Sequence, residues 1–76
     1  MKAAEVSALA WVRGACESGE ARAIRTAAKF TLAEIAEHCG VTHPAVSLWE
    51  RGLRVPGGPP ALAYAKLLRS LQKKAA

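Results

Sequence analysis

The side chains of this 76-residue chain that could do chemistry gather between Phe30 and Gly52, in the run FTLAEIAEHCGVTHPAVSLWERG. His38, Cys39 and His43 offer nitrogen and sulfur ligands. Their spacing fits no common zinc arrangement, Cys39 falls at an inward apolar position, and a fourth ligand would have to be Cys16 or a glutamate. No metal is therefore expected. Catalysis needs a nucleophile, a base and an orienting group gathered in a cleft. The polar residues here are spread over helix surfaces, so the chain reads as no enzyme, with no cofactor and no small-molecule ligand. What remains is hydrogen-bonding chemistry on one helical face. His43 can donate or accept, Ser47 carries a hydroxyl, and Arg51 follows four residues later; that spacing stacks side chains on one side of a helix.

Those residues are positioned by two short helices meeting at a glycine. Ile35, Ala36 and Cys39 recur at helical spacing on the first, Val46 and Trp49 on the second. Thr31 reads as an N-cap with Glu34 three residues on, a capping box in which each side chain satisfies an orphan backbone N–H. Gly40 supplies left-handed backbone, and the turn Gly40-Val41-Thr42 is too short for anything but a close crossing. Thr42 caps the second helix, Pro44 sits in its first turn where a missing N–H costs little, and Gly52 ends it. With Ala45, Val46 and Trp49 inward, His43, Pro44, Ser47, Leu48 and Arg51 face out. An outward leucine and proline gain nothing in water but would be buried against a thymine methyl. The alternative is that Leu48 packs on the last helix or on a partner chain. A helix pair of this kind is the architecture that lays a helix in the major groove of DNA.

The rest of the chain reads as helical too. It is rich in alanine, has few β-branched runs and shows no alternating pattern, which makes the fold all-α, a compact bundle of about five helices. A first helix is expected over about 3–16, with Val6, Leu9, Val12 and Cys16 on one stripe. Ser18-Gly19 breaks it, with Ser18 able to cap a second helix from Glu20 to Lys29, where Ala21, Ile24 and Ala28 face inward. The segment LRVPGGPP, Leu53–Pro60, reads as a loop. A last helix is expected over about 61–72, with Leu62, Ala65, Leu68 and Leu71 inward and a frayed tail after it. The formal net charge is +5, which makes a polyanionic partner plausible. The longest apolar run falls far below the roughly 20 residues of a membrane span. No export signal is read at the N-terminus, and Cys16 and Cys39 suit reduced thiols in a cytoplasmic protein.

With the helices placed, the pattern resembles the Cro/C1-type (Xre) helix-turn-helix family over roughly 22–71. The resemblance rests on Thr31, Glu34, Ile35-Ala36, Gly40-Val41-Thr42, Val46-Ser47, Trp49-Glu50-Arg51-Gly52 and Pro56. It implies a lambda-repressor-like fold, a helix-turn-helix over about 31–52 and a recognition helix over 43–51. It also implies an ion pair between Arg25 and Glu50, and double-stranded DNA as partner. Relatives of this size include phage Cro-like repressors and small bacterial regulators, and dimerisation is usual among them, so a homodimer is one expectation and a monomer on an asymmetric site the other. The family commonly has glutamine just after the cap of the third helix; here it is Leu32. The expected base contacts are His43, Pro44, Ser47 and Leu48. The expected phosphate contacts are the Thr31 hydroxyl with the N–H groups behind it, Arg51, Arg54, Lys29 and Arg22. No sensor or peptidase domain is expected after the bundle. The competing reading is a protein-interaction module on the same fold, an antitoxin or antirepressor, using Trp11 and exposed apolar residues. In that reading Trp11 stands clear of the first helix's buried stripe; otherwise it covers the core of its own chain.

Overall fold

The computed structural model describes residues 1–75. It consists of α1 (Ala3–Ser18), α2 (Glu20–Ala27), α3 (Leu32–Cys39), α4 (His43–Glu50) and α5 (Gly58–Ala75). The first and last helices pack together, α3 lies across α4, and α5 also touches α2 and α3. The core between them holds Val12, Cys16, Ile35, Val46, Trp49, Tyr64 and Leu68. Trp49 and Tyr64 meet with ring centroids 5.1 Å apart, which joins α4 to α5.

Local chemistry sets most of the helix ends. The Thr31 hydroxyl accepts from the Glu34 N–H at 3.1 Å, and the Glu34 carboxylate accepts from the Thr31 N–H at 2.9 Å, closing the capping box. Gly40 adopts φ 73°, a conformation that costs a side chain strain, and so lets α4 turn sharply across α3. Thr42 caps α4 through the Ala45 N–H at 3.4 Å, with Pro44 in the first turn.

Several expectations need correction. α2 stops at Ala27 rather than Lys29, because the chain turns left-handed at Lys29 (φ 63°) while the Phe30 N–H returns to the Arg25 carbonyl. α1 runs on to Ser18 rather than ending near residue 16, and the N-cap of α2 is Gly19 with no side-chain cap; Ser18, one position earlier, accepts from the Glu20 N–H at 3.3 Å. Val6 is 54% exposed, not inward. The buried stripe of α1 is Leu9, Val12, Ala15 and Cys16, and a helix of 3.6 residues per turn carries Val6 about a third of a turn from its centre. α5 begins at Gly58 and takes in the last three residues of the expected loop, since Pro59 and Pro60 fall in a first turn whose N–H groups have no helical partner anyway. Its buried stripe is Ala61, Tyr64, Ala65 and Leu68, leaving Leu62 and Leu71 half-buried on the flanks. The expected frayed tail is helical at Lys73 and Lys74, where basic side chains suit a helix C-terminus, and the Gln72 amide donates to the Glu20 carboxylate at 3.0 Å. Ala76, part of that expected tail, lies outside the described residues.

Lys29 holds the left-handed position at a cost that glycine would not incur. Lys29→Gly should raise the unfolding free energy by up to about 1 kcal/mol in urea titrations. A loss instead would show that the Lys29 side chain contributes more than its backbone costs.

Candidate nucleic-acid interface

Arg25 fixes the geometry of the candidate surface. Its Nε donates to Glu50 Oε2 and its second terminal nitrogen to Glu50 Oε1 at 3.0 Å, while the other donates to the Phe30 carbonyl at 2.9 Å. One guanidinium thus ties α2, the turn ahead of α3 and the end of α4. The two side chains are only 12% and 4% exposed, so water screens the pair little. The bond to Glu50 holds the Arg25 proton more tightly than usual.

Around this tie lies a shallow hollow lined by Arg22, Arg25, Leu32, Ser47, Glu50 and Arg51. Two exposed cations, Arg22 and Arg51, therefore stand beside Ser47 on α4 and beside the opening turn of α3. Arg51 is the C-cap of α4, its Nε reaching back to the Ser47 carbonyl at 3.4 Å. His43 and Pro44 are exposed at the start of α4. Ser47 and Leu48 are half-buried rather than outward, and Ala45 is half-buried rather than inward. Thr31 and Lys29 are exposed just before α3. Arg54 is exposed but lies apart from Arg22 and Arg51, in a second recess formed after α4.

The remaining candidates fall elsewhere. Trp11 is half-buried against the core, with the Arg69 guanidinium 4.8 Å over its ring, so it is not a bare anchor. Among the described residues, no three His, Cys, Asp or Glu side chains come together as a metal site. Both cysteines are free thiols in the core. Sequence reasoning passed over Tyr64, which is fully buried between α4 and α1, although its spacing from Ala61 and Leu68 marks it as inward. It also passed over Arg13, whose Nε donates to the Pro56 carbonyl at 2.9 Å; no local signal links residues so far apart in sequence.

Two helices crossing at a left-handed glycine, with the outer face of the second open to solvent, define a helix-turn-helix domain. The sequence profile described as helix-turn-helix matches residues 22–72, from the first turn of α2 to the last turns of α5. The chain therefore belongs to the Cro/C1-type helix-turn-helix family, a family of DNA-binding regulatory domains rather than of enzymes. No curated protein and no solved structure matches the chain. Among the described residues, no helix is long and apolar enough to cross a membrane.

Replacing Arg25 by methionine strands a buried carboxylate and should lower the unfolding free energy by about 3–5 kcal/mol. Combining Arg25→Met with Glu50→Leu should recover a good part of that loss; equal losses in the two variants would show that the stranded charge is not the cause. Burial raises both the Cys16 and Cys39 thiols from 9.0 to about 11. An unfolded chain releases those protons first. Stability should therefore be intact below about pH 9 and fall as pH rises toward 11, a decline that Cys39→Ala reduces in unfolding curves taken across the alkaline range.

Proposed function

We propose that the chain is a sequence-specific regulator of transcription, acting as a repressor on double-stranded DNA with α4 in the major groove. The observation that carries this reading is the open face of α4 flanked by cations. His43 and Pro44 are bare at its start, and Ser47 shares one hollow with Arg22 and Arg51. His43 would meet a purine edge and Ser47 a neighbouring base, while Pro44 and the exposed part of Leu48 would pack on thymine methyls. The Thr31 oxygen is occupied by the Glu34 N–H, which leaves its own O–H to donate to a phosphate. Lys29, Arg22, Arg51 and Arg54 would add charge along the backbone, and the N–H groups opening α3 would add dipole. No asparagine or glutamine on α4 offers bidentate reading of adenine, so part of the selectivity falls to DNA shape.

Selection from a randomised duplex library at near-physiological salt tests this. An enriched inverted repeat would support a dimer on half-sites about one helical turn apart, and a single asymmetric site a monomer. No enrichment would overturn the reading. Ser47→Ala and His43→Ala should each shift preference at contacted base pairs by about 1–3 kcal/mol. Arg54→Ala should weaken all sequences alike and lower the salt slope by about 0.9.

A further inference from the structure

The recess after α4 joins two parts of the chain that no sequence signal connects. Arg13 comes from α1, which lies outside the matched residues 22–72. Arg54 comes from the turn that follows α4. Both are exposed, and both line one recess of about 200 Å³, with Cys16, Trp49 and Pro56 as its apolar floor. Glu17 lines it as well, so the recess holds two guanidinium groups and one carboxylate. Among the described residues, neither arginine has a carboxylate within ion-pair distance; the ion pair formed is Arg25–Glu50. Two guanidinium groups thus share the recess with a single exposed carboxylate, and an anion bound there lowers the repulsion that remains between them.

Arg13 is also held in place. Its Nε donates to the carbonyl of buried Pro56, which restrains the guanidinium while its terminal nitrogens stay uncommitted, Nη2 lying beside Gly57. A second terminal contact would therefore cost little further ordering. Terminal guanidinium nitrogens suit the paired oxygens of a phosphodiester.

We infer that Arg13 and Arg54 together clamp one phosphodiester of the DNA backbone beyond the end of α4, so that α1 takes part in binding as well as in folding. This rests on the proposed placement of α4 in the major groove, which sets the turn after it against a strand. Glu17 opposes the same anion and tempers the site.

The test is the dissociation constant of a selected duplex for the full chain and for Arg13→Gln, Arg13→Lys, Arg54→Gln and Glu17→Gln, across a salt series. Arg13→Gln and Arg54→Gln should each weaken binding about 3- to 10-fold and lower the salt slope by about 0.9. Arg13→Lys should keep most of the slope, and Glu17→Gln should tighten binding about 2-fold by removing a like charge. Since Glu17 is exposed, that variant reports even if an arginine variant folds poorly. Replacing the duplex phosphates one at a time by methylphosphonate should find a position where the wild type loses affinity and Arg13→Gln loses nothing more. If Arg13→Gln lowers the melting temperature but leaves affinity, slope and the methylphosphonate scan unchanged, Arg13 is a strut for the turn and the inference is wrong. If the wild type selects no duplex at all, the proposed function fails first and the clamp with it.

Discussion

The orientation of α4 depends on a bond made by a single long side chain. α2 packs mainly on α1 and α5, while α4 packs on α3 and α1. Arg25 reaches across from one pair to the other, and at its far end it finds a buried carboxylate and a backbone carbonyl. Buried ion pairs contribute little net stability against apolar residues of the same shape, because desolvation offsets the attraction. What such a pair does supply is direction: three hydrogen bonds from a planar group allow one relative placement of three segments, whereas apolar contact tolerates sliding. On the proposed reading, in which α4 would present His43 and Ser47 to base edges, the helix needs that kind of constraint.

Behind this tie, the core is asymmetric in chemistry. Trp49 and Tyr64 supply most of the bulk on one side, and alanines on α1, α3 and α5 let the helices approach closely. The Tyr64 hydroxyl is buried with no hydrogen bond of ordinary geometry; the polar group facing it is the Cys16 thiol, a weak partner. Burial and its acidic neighbours hold the phenol proton well above the usual range. The ring fills space that smaller residues would leave empty, and its hydroxyl is carried along at a cost of about 1–3 kcal/mol.

Much of the fold was legible because the helix ends are encoded by their nearest residues. Thr31 with Glu34, Gly40 and Thr42 each act within a few positions, so the helix-turn-helix could be read directly. Where sequence reasoning missed, the cause was again physical. Pro59 and Pro60 break a helix interior but not a first turn, and only the packing of Ala61 and Tyr64 decides which they occupy. Val6 looked inward because it is three residues from Leu9, yet a stripe has two edges and neighbours determine which is covered. The candidate surface was legible as a set of residue types on α4 and ahead of α3. Its grouping was not: that Arg22 stands with Arg51 while Arg54 stands with Arg13 is a property of tertiary placement, and residues so far apart in sequence leave no local trace of their proximity.

The pairing of the first helix with the last has a consequence for how the molecule assembles. α1 and α5 stand at opposite ends of the order of elements, yet they share one of the main interfaces. Bringing them together closes a loop through α2, α3 and α4, and the entropy of that closure falls before its contacts form. Contacts between neighbouring helices, such as α3 with α4, close much shorter loops and can form early. The order of events is therefore built into the topology. The turn between α3 and α4 can organise while the flanks are still open, and the bundle locks when α1 and α5 meet over Val12, Tyr64 and Leu68.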